Sequence, residues 1–185
     1  MEELKRCSWV NPKDPYSIQY HDTEWGIPVH SDRKLFEMLI LECFQAGLSW
    51  SCILHKRETF RRAFDEFDPE IICSYQTDQV EQLLKDPGIV RNRRKIAAAI
   101  VNAKVFLDIQ REWTSFDRYL WHFTEEKTIV ETGKVSSPLS DQVSRDLQKR
   151  GMKFVGTVIV YSYLQAVGVI NSHEDGCHFQ PSTTQ

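Results

Sequence analysis

Apolar positions along the chain recur mainly at intervals of three and four, the spacing that lines one side of a helix. Leu35, Phe36, Leu39, Ile40 and Cys43 form one such stripe, with Ser31 or Asp32 placed to cap it. After Gly47, the residues Trp50, Ile53, Leu54 and Phe64 repeat at helical spacing, and Asp68-Pro69 reads as a cap followed by a first-turn proline. Thr77 or Asp78 opens a short helix carrying Val80, Leu83 and Leu84. From Asn92, the positions Ile96, Ala99, Ile100, Ala103, Phe106 and Leu107 mark a long amphipathic helix. Ser140 is the expected cap of another, closed by Gly151. The run from Phe154 to Val167 is apolar nearly all round and stops before Gly168, which predicts a buried central helix. Period-two alternation is scarce. The predicted fold is all-α, one helical domain over residues 1–185.

Composition narrows the class. A chain of 185 residues with 41% hydrophobic positions buries one sizeable core and leaves little room for a second. No stretch approaches the ~18 apolar residues of a membrane span. The opening MEELKRCSWV lacks the apolar run of a secretory signal, so a cytoplasmic protein is expected, with no membrane partner. Five cysteines, an odd number, argue against a disulfide framework and leave thiol chemistry or metal binding open. A net charge of −3 gives no global sign of a nucleic-acid partner. The basic residues are nevertheless clustered, at 56–62, 85–95 and 145–153. Each cluster taken alone reads first as a solvated helix face.

One connection carries a more specific pattern. The short helix near 78–84 leads through Lys85-Asp86-Pro87-Gly88-Ile89 into the long helix from Asn92, so that 78–105 has the form of a helix-hairpin-helix. Backbone N–H groups around Gly88 would grip a phosphate, and Arg91, Arg93, Arg94 and Lys95 would add sequence-independent affinity for DNA. A plain helical hairpin with a basic face fits the same pattern. Near the two ends, Cys7 and His21 answer His173 and Cys177, and the second pair has H-x3-C spacing. Two thiolates and two imidazoles make a closed tetrahedral Zn2+ site, structural because no position is left for substrate. His178 suits the same role as His173, and spacing does not choose between them. Cys43, Cys52 and Cys73 read as small buried hydrophobes.

Aromatic residues crowd the first 50 positions: Trp9, Trp25 and Trp50, with Tyr16 and Tyr20. Among them Glu42 follows Leu39, Ile40 and Leu41, where a carboxylate is paired, exposed at the helix edge, or functional. Aromatic faces with one acid suit a flat, cationic or hydrogen-bond-donating ligand. A tryptophan-rich core with Glu42 at the solvent edge is the plainer reading.

RCSWV at 6–10, YHDTEWGIPV at 20–29, LFEMLILECFQAGLSW at 35–50, KRGMKFVGT at 149–157 and the H-x3-C occur in one order. Together they resemble the bacterial type I 3-methyladenine DNA glycosylases of the helix-hairpin-helix superfamily, from Cys7 to about Cys177. The resemblance implies a structural zinc, one per chain, on Cys7, His21, His173 and Cys177. It implies a damaged-base pocket of Trp9, Tyr20, Trp25, Trp50 and Glu42, with Glu42 acting on the base as the catalytic group. It also implies a wedge at Gly47 and Leu48 that fills the gap left by an everted nucleotide, and a phosphate anchor at Lys85–Lys95. The expected partner is double-stranded DNA with alkylated bases, and the expected state a monomer. Cys43 and Phe44 stand where family members commonly have small or polar residues, and residues 111–140 match poorly. No Asp occupies a clear catalytic position beyond the hairpin, Asp108 and Asp117 lying further along. No lysine is an obvious Schiff-base nucleophile, so release without strand cleavage is expected. A non-cutting binder of alkylated or abasic DNA and a zinc-stabilised interaction domain are the alternatives.

Overall fold

The computed structural model describes residues 4–180. Nine α-helices make up most of the described chain: α1 Pro15–Thr23, α2 Asp32–Gln45, α3 Trp50–Ala63, α4 Pro69–Ile72, α5 Thr77–Lys85, α6 Arg93–Trp113, α7 Phe116–Trp121, α8 Pro138–Lys149 and α9 Thr157–Ala166. One parallel pair of two-residue strands, β1 Ile129–Val130 and β2 Ile170–Asn171, qualifies the all-α expectation.

The central element is α2. Its residues from Leu35 to Phe44 are all buried, and it packs against α3, α6, α7 and α9. Phe36 meets Phe106 of α6 edge-on at 4.9 Å, and Phe106 stacks on Phe116 at 4.2 Å. The stretch 154–167 was expected to fill the centre, but α9 begins only at Thr157 and leaves Val158 exposed. Its start is delayed because Phe154 sits in the left-handed region, φ 56°, and Gly156 is the N-cap. Two caps also differ from expectation. Ser137, with Pro138 after it, caps α8, and Ser140 is the return partner of a capping box. Gln76 caps α5.

Two helices carried no periodic signal. The inward residues of α1 are Ser17, Tyr20 and His21, none of them aliphatic, while its start repeats the Asp-Pro signature: Asp14 accepts from the Tyr16 N–H at 3.1 Å. The other is α7, capped by Ser115. Partly buried ion pairs tie the end of α1 to α2 and α3. Arg57 grips Glu24 with both terminal nitrogens at 2.8 Å and donates through Nε to Glu37 at 2.7 Å, and Lys34 joins from α2 at 3.0 Å. Burial opposes these charges, but the guanidinium beside them holds both carboxyls below the usual range. Of the three mid-chain cysteines only Cys43 is buried; Cys52 and Cys73 are half-buried.

Candidate active site and metal centre

The residues expected to hold a base do converge. Trp9 lies in the loop before α1, Tyr20 in its last turn, Trp25 just beyond it, Glu42 on α2 and Trp50 at the start of α3. Together they form one side of a cleft of about 330 Å³. Trp9 and Trp25 meet edge-on at 4.9 Å, and Tyr20 lies 5.3 Å from Trp50, so the rings box the cleft without filling it. Trp9 is 40% exposed and forms the rim.

Glu42 is 3% exposed, makes no hydrogen bond with any described residue, and borders the cleft. Burial alone pushes its pKa up to about 8. The reading that put it at the solvent edge is therefore wrong. A carboxyl held in aromatic surroundings without a counter-ion is poised to ionise against an incoming cation or N–H donor. Tyr20 lies close by, and its phenol is held well above its ordinary pKa by burial and then by Glu42. Cys43 and Phe44 stay out of the cleft: Phe44 packs on Phe60 and Phe64, and Cys43 faces Asn102.

The opposite wall was not foreseen. Gln45, Gly133, Lys134, Ser162, Gln165, Ser172 and Glu174 complete the lining. These are scattered polar residues, two of them in the poorly matching 111–140 segment, and no spacing pattern marks them. Glu174 also fixes the rim, accepting from the Ser8 N–H and hydroxyl at 2.7 Å each.

Behind the aromatic wall the metal-ligand candidates gather. One donor atom each of Cys7, His21 and Cys177 lies within 4.8 Å of the others. His173 stands outside that circle, yet its ring is 5.0 Å from the His21 ring, and its buried Nε2 has no partner. His178, the rival ligand, is exposed. Each buried imidazole is oriented through Nδ1, His21 by Asp22 at 2.8 Å and His173 by Asn171 at 2.9 Å; this leaves the His173 Nε2 free, while the His21 Nε2 lies 3.5 Å from Cys177 Sγ and accepts from the Cys7 N–H at 3.4 Å. Arg6 in turn grips Asp22 at 2.6 Å. Burial and the neighbouring His21 push the His173 pKa down to about 4, so its imidazole is neutral, as a ligand must be. The donor set fits tetrahedral Zn2+.

The basic hairpin needs two corrections. Gly88 does not offer its N–H to a phosphate, because Asp86 Oδ1 accepts it at 2.7 Å. The glycine is required for close approach: a Cβ there would lie 2.1 Å from Thr59 Cγ2 of α3. Lys95 does not reach solvent either. It is 7% exposed, and its Nζ donates to the carbonyls of Phe44 at 2.8 Å and Ala46 at 2.6 Å. It thus caps the end of α2 and holds the turn that follows. Arg91 and Arg94 are exposed as expected, while Arg93 pairs at the surface with Glu81. In the braced turn Gly47 takes φ +79° and lifts Leu48, 39% exposed, from the surface. Gln45 Nε2 donates to the Leu48 carbonyl at 2.7 Å.

The fold is helical, with an acid-bearing aromatic cleft beside the turn that exposes Leu48, and residues 9–180 match the methyladenine glycosylase family model. The chain belongs to that family. It is 44% identical to DNA-3-methyladenine glycosylase 1 of Escherichia coli (strain K12), with 96% of this chain and 98% of that one covered. Its fold superimposes on a crystal structure of 3-methyladenine DNA glycosylase I at TM-score 0.92 and 45% identity, covering 96% of this chain and 100% of the other. A second crystal structure, a tyrosine-to-phenylalanine variant of a 3-methyladenine DNA glycosylase I in complex with 3-methyladenine, matches at TM-score 0.90 and 33% identity. It covers 94% of this chain and 96% of its own.

Proposed function

We propose that this protein is a DNA repair glycosylase that hydrolyses the N-glycosidic bond of 3-methyladenine in alkylated duplex DNA and leaves an abasic site. The observation that carries this reading is Glu42, a buried and unpartnered carboxyl facing an aromatic box. Methylation at N3 makes the base a cation, so it is already a good leaving group and asks little acid catalysis. The protein supplies a place for the everted base and an interaction that favours it. Leu48 on its braced turn fills the gap in the duplex, and eversion costs a few kcal/mol, less for a damaged base. Trp50 stacks on the base, Trp9, Tyr20 and Trp25 close the box, and Glu42 accepts from the exocyclic amine while its charge balances the cation. Normal adenine keeps its stable glycosidic bond because no strong acid is provided.

DNA is held by Arg91, Arg93 and Arg94 at the start of α6; their exposure and shared edge support that role. Zinc is held by Cys7, His21, His173 and Cys177. When bound, the ion clamps the two ends of the chain behind the pocket wall and takes no part in bond breaking. The test is base release from methylated duplex DNA, with free bases resolved by chromatography. Wild type releases 3-methyladenine and spares 7-methylguanine, whereas Glu42→Gln folds, binds DNA and releases far less. Salt-dependent DNA binding without any release would instead make the protein a non-cutting lesion binder.

A further inference from the structure

The far wall of the cleft carries a charge that recognition of the base does not use. Three lining side chains are carboxylic acids or amines: Glu42, Glu174 and Lys134. Glu42 serves the base in the reading above. Glu174 is occupied, since its two oxygens accept from the Ser8 N–H and hydroxyl. Lys134 is the one cation in the lining, and its side chain is 49% exposed, so it borders the cleft where solvent enters. Among the described residues its ammonium makes one hydrogen bond, to Glu131 Oε2 at 2.6 Å. An ammonium has three donors, so two remain open.

The small sheet sets Lys134 there. Parallel pairing puts Val130 beside Asn171, and the Glu131 N–H donates to the Asn171 carbonyl at 3.1 Å, which fixes Glu131 at the end of β1. Gly133 then takes φ +69°, a left-handed turn that favours glycine, and Lys134 comes back onto Glu131 three residues behind it. A Cβ on Gly133 would meet nothing within 4 Å, so the glycine is there for the turn and not for close packing.

An ammonium in a cleft for a cationic base repels that base. The only anions of an alkylated nucleotide are the phosphodiesters on its two sides. An everted nucleotide stays joined to its strand through both, so they remain at the mouth while the base reaches the rings. Nor is Lys134 suited to attack the sugar as a free amine: the Glu131 carboxylate beside it holds its ammonium above the usual lysine range. We infer that Lys134 grips a phosphate flanking the everted nucleotide while keeping its bond to Glu131. The inference rests on the glycosylase reading above. Arg91, Arg93 and Arg94 lie outside the cleft lining and suit the duplex in general, whereas Lys134 engages the strand at the nucleotide that has left the stack.

The experiment uses full-length, zinc-loaded protein and a duplex with one tetrahydrofuran abasic site. The linkage 5′ or 3′ of that site is either a phosphodiester or an uncharged methylphosphonate. Lys134→Ala should bind the all-phosphate duplex about fivefold more weakly than wild type, and Lys134→Arg should recover most of the loss. One of the two methylphosphonates should weaken wild type by a similar factor and leave Lys134→Ala within about twofold, because the contact is already gone. Affinity for free 3-methyladenine, which has no phosphate, should be the same in wild type and Lys134→Ala. Unchanged binding of the abasic duplex by Lys134→Ala overturns the inference. So does a methylphosphonate effect of equal size in both proteins at both linkages, or a fall in free-base affinity that parallels the loss for the duplex. Base release from methylated duplex DNA is followed alongside. If wild type releases no 3-methyladenine, the glycosylase reading itself has failed; if it does and Lys134→Ala matches it in every binding assay, only the phosphate grip has failed.

Discussion

Glu42→Gln should make the ligand-free protein more stable as it makes it less active, and the gain should depend on pH. The carboxyl ionises at about 8 in the folded protein, against 4.5 as an ordinary glutamate, because burial opposes the charge and no cation offsets it. A group whose pKa is raised by folding gives its full stability below the unfolded value. That contribution is lost as pH climbs through the folded value. The loss therefore begins near pH 4.5 and is complete above about pH 8. At about 1.4 kcal/mol per pH unit, it amounts to about 3 kcal/mol at pH 7 and at most about 5 kcal/mol above pH 8. Glutamine keeps the shape and never ionises. With a urea slope of about 2 kcal/mol/M, the variant's midpoint should exceed that of wild type by about 1.5 M at pH 7. The two midpoints should coincide near pH 4.5. Parallel urea titrations at pH 4.5, 7 and 8.5, without DNA or free base, measure this directly. A difference that is the same at all three pH values would refute the reasoning, because it would show that position 42 carries no ionisation penalty.

Lys95→Met removes two charge-assisted bonds to the α2 carbonyls, worth about 2 kcal/mol after the recovered cost of burying the ammonium, so Tm should drop by about 4–8 °C. The salt dependence of DNA binding should stay as in wild type, whereas losing a true phosphate contact would lower its slope by about 0.9. Arg94→Ala should show the reverse, a shallower salt slope at unchanged Tm. Chelation of zinc-loaded protein, or Cys7→Ala, should lower stability and alter tryptophan fluorescence together, since Trp9 and Trp25 pack on His21 and His173; metal analysis that finds full zinc in Cys7→Ala would exclude Cys7 as a ligand. Arg57→Met removes the cation shared by Glu24 and Glu37 but leaves Lys34 on Glu24 and Arg61 on Glu37, so it should cost about 1–3 kcal/mol in denaturant titrations.

Sequence pattern made α2, α3, α5 and α6 legible because their inward faces are aliphatic or aromatic at helical spacing. It was silent on α1, whose inward face is Ser17, Tyr20 and His21, and on α7, a helix too short to set a period. The aromatic half of the cleft stood out by residue type. The facing wall did not, since Ser162, Gln165 and Ser172 are ordinary polar residues that only the placement of α9 and β2 brings to the site. Lys95 was misjudged as a surface charge because it adjoins three arginines. Its position on the stripe with Ala99, Asn102 and Phe106, all buried, was the available sign that it points inward.

The brace between Ser8 and Glu174 has a consequence for synthesis. Residues 9–50 supply the rings and the acid that take up a base, but their far wall is drawn from residues 162–174 and their backing from His173 and Cys177. A nascent chain that stops short of this closing segment has the rings but no enclosure for them. A product that ends before residue 162 therefore lacks the far wall of the cleft as well as its backing.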